Sequence, residues 1–269
     1  AQGMLPDKQP TNQTGRASGD ACQALIARTL LYWASPLHNP ANLKQRWEEA
    51  AAGAEKLSDT RYTLHDDYEQ LFMNDNDEII FARQFTQANA TNFNLVQGRS
   101  GDSGHGYGNP SQNLVNAYEM KATGKLPCIE QANGTYLTNP TSGYDPQKPY
   151  EGRDPRFYAA ILYDGAMWQG RETETFKGGG DHREYAGGGS NWLATETSYY
   201  VRKFVDENIP PTGSADNPTN PWIFFRYAEI LLNYAEAKFE LGDESTAREY
   251  VNLVRNRKSV KMPEITDTG

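Results

Sequence analysis

Basic side chains, cysteine and histidine are all in short supply in this chain, and each shortage narrows what the protein can do. Lysine and arginine total 26 against 35 aspartates and glutamates, a formal net charge of −9. A phosphate backbone is held by a basic face, so this balance argues against a nucleic-acid partner. The two cysteines, Cys22 and Cys128, lie far apart. They form no CxxC or Cys/His pattern, so no zinc site is legible, and neither their pairing nor the compartment follows from them. The four histidines, His38, His65, His105 and His182, show no short ligand spacing, which leaves a metal-hydrolase reading without support. No apolar run is long enough to span a bilayer, and the N-terminal residues do not read as a signal peptide.

What the chain does have is aromatic rings. Sixteen Tyr and five Trp sit in a sequence that is only 37% hydrophobic. Disordered chains are poor in aromatics, so this one is expected to fold. Flat rings with a polar edge also make good ligand platforms.

Apolar spacing predicts helices at both ends. Ala24, Ala27, Leu31 and Ala34 form one stripe, stopped by Pro36. Asn42 with Gln45 has the capping-box spacing, and Leu43, Trp47, Ala50, Ala54 and Leu57 form a second stripe. Residues 19–58 thus read as a helical hairpin. Residues 222–258 read as another, with a stripe of Phe225, Ala228, Leu232, Ala235 and Phe239. There Gly242 is the stop and Asp243 the next N-cap, before Ala247, Tyr250, Val251 and Val254. Small residues at the seams are what tetratricopeptide-type pairs use. Trp33, Trp47 and Trp222 are expected in this core.

Residues 60–220 read differently. Strand-like runs, "EIIFARQF" (78–85), "FYAAILY" (157–163) and "YYVRKFV" (199–205), alternate with long polar loops. Loops of that length inside a folded domain are functional or disordered, and their Tyr and Trp content favours function.

Several motifs weaken on inspection. "GDSGHG" (101–106) superficially matches a serine-protease signature, but the helical pattern contradicts the barrel that chemistry needs. "NDNDE" (74–78) lacks the glycine and glutamate of an EF-hand; calcium held with other loops stays open. "GGGD" and "GGGSN" lack the Lys-Ser/Thr pair of a phosphate loop and read as a surface loop presenting Trp192. Two carboxylates across a cleft would suffice for a glycosidase, which the sequence neither marks nor excludes.

The blocks "GRASGDACQALIARTLLYWASPL", "YTLHDDYEQLF", "EIIFARQF", "NPSQNLVNAYEM", "YEGRDPRFYAAILYDGAMWQGR", "YYVRKFVDE", "FRYAEILLNYAEAKFELGD" and "AREYVNLVRNR" occur in this order. Together they resemble the SusD/RagB family of surface glycan-binding lipoproteins, from about Leu5 to Gly269. The resemblance implies a single, partial SusD-like domain over 1–269 and a mostly α fold. Tetratricopeptide-like helix pairs would be the scaffold, with an irregular, loop-rich region containing short strands. It also implies a non-catalytic role at the extracellular face of the outer membrane, delivering glycan to a SusC-like TonB-dependent transporter. Membrane attachment would come only through an N-terminal lipid anchor outside this sequence, which reads as lacking the family's first helices and closing segment. The family motif does not fix the ligand residues. The loop composition points to Tyr107, Trp168 and Trp192 as a sugar platform and to Asn109, Arg171 and Asp181 as rim hydrogen-bonding groups. The competing reading is a helical-repeat scaffold that holds the transporter without touching sugar.

Overall fold

The structure is a computed structural model that describes residues 2–58, 61–184, 191–212, 214 and 216–266. In chain order the helices are α1 (Gly19–Ala34), α2 (Lys44–Glu55), α3 (Phe93–Gln97), α4 (Gln112–Ala117), α5 (Pro155–Ala160), α6 (Tyr227–Glu240) and α7 (Glu244–Arg255). The strands are β1 (Ile79–Arg83), β2 (Cys128–Glu130), β3 (Tyr136–Thr138), β4 (Ile161–Leu162), β5 (Met167–Trp168), β6 (Arg171–Glu172), β7 (Tyr200–Val201) and β8 (Trp222–Arg226). Helices dominate and the strands are short, as the expected class requires. The chain forms two compact units.

The first unit draws on Ala1–Asp67, Asn74–Gln84 and Pro221–Gly269. Ser18 caps α1 by accepting from the Ala21 amide, and the helix buries the expected Ala24, Ala27, Leu31 and Ala34. Those alanines let α2 approach closely: a Cβ on Gly53 would stand 2.8 Å from Leu30 Cδ1. The buried Gln23 amide donates to Gly53 O across the same seam. Leu31, Trp47 and Leu57 join Ile230 and Tyr234 of α6 in one core, each such side chain contributing about 1.5–3 kcal/mol on burial. Gly242, at φ 82°, ends α6, and Asp243 caps α7 by accepting from the Thr246 amide. Beside the helices, β1 pairs antiparallel with β8. Glu78, just before β1, is fully buried; it accepts from Arg226 at 2.8 Å, from Arg257 at 2.6 and 3.0 Å, and from the His65 amide.

Three expectations fail in whole or in part in this unit, each for a local reason. Asn42 does not cap α2: Asn39 Oδ1 accepts the Leu43 amide instead, and Asn42 Oδ1 accepts from Trp47 Nε1. The stripe expected on α6 holds only in part: Phe225, Ala228 and Ala235 are buried, but Leu231 replaces Leu232. Leu232 and Phe239 are exposed. Trp47 is core, but Trp33 and Trp222 are 48% and 40% exposed. Arg46 lies 3.8 Å from the Trp33 ring centroid, and Trp222 belongs to β8 rather than to a helix.

The second unit comprises Tyr68–Met73 and Phe85–Asn220. Its core is aromatic. Val115, Phe157, Ala160, Ile161 and Tyr199 pack with partly buried Tyr118, Tyr150, Tyr158 and Tyr163. Tyr150 and Tyr163 stand 4.4 Å apart between centroids. Arg153, 2% exposed, donates to the carbonyls of Pro149, Val115 and Tyr118, pinning the polar loops to that core. The strand expected over 157–163 is mostly helix. Asp154 accepts the Arg156 amide and Pro155 opens α5 with its φ already helical; only Ile161 and Leu162 extend, pairing with β7. The run at 199–205 likewise keeps just two strand residues, Tyr200 and Val201.

Candidate functional site

The site grows from the β5–β6 hairpin. Trp168 and Arg171 pair across it, joined by Gln169 and Gly170 at φ 49° and 80°. Positive φ at both turn positions is the geometry of the tightest hairpins. Beyond the turn, Arg171 to Phe176 alternate outward and inward: Thr173 and Thr175 are buried, Glu172, Glu174 and Phe176 exposed.

Arg171 is clamped. Its Nη1 and Nη2 donate to the two oxygens of Asp181, each at 2.7 Å, and its Nε donates to Asp102 Oδ1 at 2.9 Å. Asp102 Oδ2 in turn accepts from Arg99 Nε at 2.7 Å. Arg99 is fully buried and ties the group to the hairpin through Trp168 O at 2.8 Å and Thr173 Oγ1 at 2.9 Å. Asp181 also accepts the Gly101 and Glu174 amides. Glycine at 101 leaves room for this pairing, because a Cβ there would stand 2.6 Å from Arg171 Nη2 and Asp181 Oδ1 and the clamp would have to shift. Hydrogen bonding to Asp181 raises the Arg171 pKa above the ordinary arginine value, whereas burial lowers that of Arg99. Both remain cationic at any working pH.

Above this clamp lies an open cleft of about 600 Å³. Arg171, Glu174 and Gly180 line it from one stretch of chain, Ser100 and Gly101 from another, and Asn191 and Trp192 from a third. Trp192 is 69% exposed. The arrangement sets an aromatic face beside a guanidinium, a carboxylate and an amide, over a floor whose polar atoms are already paired.

The structure therefore sorts the six residues singled out from the sequence. Arg171 and Trp192 line one cleft. Asp181 is fully buried beneath it, with both oxygens engaged, so it is a support and not a rim group. Trp168 is 2% exposed and packs with Leu162, Ala166, Tyr200 and Val205, so its ring is not offered to a ligand. Tyr107 is 58% exposed, 5.3 Å from the His105 ring, but does not line the cleft. Asn109 is likewise outside it, receiving the Glu196 amide at 2.9 Å. Arg99, Asp102 and Glu174 were missed. Glu174 had a signal in the alternation of "RETETF"; Arg99 and Asp102 had none beyond their glycine-rich setting. The "GGGSN" stretch lies outside the described residues except for Asn191.

Other motifs resolve simply. In "NDNDE", Asn76 Oδ1 accepts the Glu78 amide, Asp77 pairs with Lys8, and Glu78 is held by arginines. Among the described residues no group of three or more His, Cys, Asp or Glu is placed to hold a metal, and no helix is long and apolar enough to cross a membrane. Asp102 of "GDSGHG" belongs to the arginine clamp.

Comparison with known proteins fits this architecture. A SusD-like carbohydrate binding protein from Bacteroides fragilis is 26% identical, with a TM-score of 0.77 over 99% of this chain and 49% of that one. A second SusD-like protein from the same organism is 29% identical, with a TM-score of 0.75 over 100% of this chain and 52% of its own. Surface glycan-binding protein A from Bacteroides thetaiotaomicron, in complex with laminarihexaose, is 18% identical at a TM-score of 0.57, covering 98% of this chain and 52% of that one; this likeness concerns the fold alone. The chain thus spans about half the length of these structures. No curated protein sequence matches it. The helical scaffold is tetratricopeptide-like, as in the SusD-like fold. The SusD family model matches residues 69–268, well over half of the sequence, and the chain belongs to that family.

Proposed function

We propose that this chain binds oligo- or polysaccharide at the extracellular face of the outer membrane, does not cleave it, and passes it to a SusC-like TonB-dependent transporter. The observation that carries the reading is the cleft in which the exposed Trp192 stands with Arg171, Glu174 and Asn191. A sugar ring has an apolar face of C–H groups and an edge of hydroxyls. The indole takes the face, and the polar groups take the edge. The name borne by one structural relative, a SusD-like carbohydrate binding protein, supports the ligand class. Membrane attachment through an N-terminal lipid is part of this reading and is what the family implies.

Binding without hydrolysis fits the carboxylates at the cleft. Glycosidases set two across the scissile bond. Here Asp102 and Asp181 are held by arginines, and among the described residues Glu174 is the acidic residue lining the cleft.

A panel of poly- and oligosaccharides titrated against the protein, with reducing ends assayed in the same wells, tests the reading. Saturable binding with no new reducing ends is expected. Product release would make the protein a glycosidase. Failure to bind any member would favour the second reading, an interaction scaffold. One observation speaks for that alternative: α1 leaves Leu25 and Tyr32 54% and 61% exposed on its outer face.

A further inference from the structure

The charge balance of the cleft bears on which glycans can enter. In the clamp, two arginines answer two aspartates, and the group is neutral. Nearby cations are also matched: Lys177 pairs with Glu184 at 2.9 Å, and Arg183 with Glu196 at 2.5 Å. Glu174 is the exception. It is exposed, lines the cleft, and accepts the Gly180 amide on Oε2 at 3.1 Å. Among the described residues no lysine, arginine or histidine lies within ion-pair distance of it. Arg171, the cation beside it, spends four of its five N–H groups on Asp102, Asp181 and Glu172 O, and its charge is matched by the two aspartates.

We infer that the cleft selects uncharged glycans and that Glu174 sets this selection. The inference rests on the glycan-binding reading above. A carboxylate is an acceptor with room for about four hydrogen bonds, so after the Gly180 amide Glu174 can still accept from two neighbouring hydroxyls of one ring. A uronate or sulfate ester in that position brings a second negative charge and no donor. Among the described residues the cation lining the cleft, Arg171, is already matched by Asp102 and Asp181, and like charges forced together favour the neutral competitor.

The test uses neutral gluco-, manno- and galacto-configured hexasaccharides and the same set oxidised at C6 to uronates, titrated by calorimetry at low and physiological ionic strength. The oxidised form of any bound glycan should bind at least about tenfold more weakly, a difference of ~1.4 kcal/mol. The gap should shrink as salt rises. Glu174→Gln, a change at an exposed position, should bring the two forms within about threefold, by the same arithmetic. Equal or tighter binding of the oxidised set by the parent protein overturns the inference, and so does an unchanged ratio in Glu174→Gln. If neither set binds, the glycan reading itself fails and takes this selection with it; binding of the neutral set with no discrimination sinks the selection alone.

Discussion

Glu78 and Asp181 are both fully buried carboxylates gripped by arginine, yet one closes a core and the other floors a cleft. In the helical unit, Glu78 sits between Arg226 and Arg257, and Arg257 is itself 4% exposed. In the loop-rich unit, Asp181 is gripped by Arg171, which keeps about a third of its side chain at the surface, 34%. The chemistry is the same and the outcome differs in degree: Arg226 keeps 22% of its side chain at the surface, and Arg171 keeps 34% and lines the cleft. The more closed network serves the fold. The more open one can present a group whose position is fixed from below.

The largest effect should come from breaking the more closed network. Glu78→Ala leaves two guanidinium groups facing each other without their anion, and removal of one partner from a buried pair costs about 3–5 kcal/mol. Denaturant unfolding followed by circular dichroism measures this; an unchanged midpoint would erase the contrast between the two networks. The same residue should shape the acid limb. Burial alone would raise the Glu78 carboxyl, but hydrogen bonding and charge from Arg257, with Arg226, hold it below its ordinary value of 4.5. A depressed folded-state pKa stabilises fully above the unfolded value and is lost as the pH falls through the folded one. Stability should therefore drop below about pH 4.5, as linkage requires, and Glu78→Gln should flatten that part of the profile.

The two tryptophans near the cleft sharpen the comparison further. Trp168→Ala empties a packed site and should cost about 3–5 kcal/mol of stability. Trp192→Ala removes an exposed ring and should change stability by no more than about 0.5 kcal/mol. On the glycan reading, that variant should still weaken binding about tenfold, or ~1.4 kcal/mol. Unfolding curves and glycan titrations of the same two variants separate the roles; matching behaviour in both assays would remove the distinction between buried support and exposed platform. The smallest effect belongs to the scaffold: Asp243→Ala, which deletes the cap on α7, should cost about 1 kcal/mol in the same unfolding assay.

The helical ends were the legible part. Alanine at the α1 seam and the Gly242–Asp243 break are local signals with a local cause, and both appear as expected. The phase of α6 was legible only in part: Ala228 and Ala235 are core as expected, but apolar residues surround that helix, more than one stripe satisfies the spacing, and Leu231 turns inward in place of Leu232. Aromatic content marked the loop-rich half, but composition cannot say which way a ring points. Trp168 and Trp192 looked alike in sequence, and the hairpin turn at Gln169–Gly170 folds the first into the core. The clamp was illegible for another reason. Arg99 and Asp102 come from one stretch and Arg171 and Asp181 from another, and no spacing rule connects the two. Arg171 and Asp181 were each noted as polar candidates; that they would bind each other is a property of the fold.

One contact made by the clamp bears on kinetics. Arg99 holds the Trp168 carbonyl, so the cleft floor is bolted to the hairpin and through it to the Leu162–Tyr200 core. A ligand arriving there meets side chains whose rotamers are already chosen, and little ordering entropy remains to be lost on that side. Association should then run in a single phase, with an observed rate that climbs linearly with ligand concentration, and tight and weak ligands should differ in how long they stay rather than in how fast they arrive.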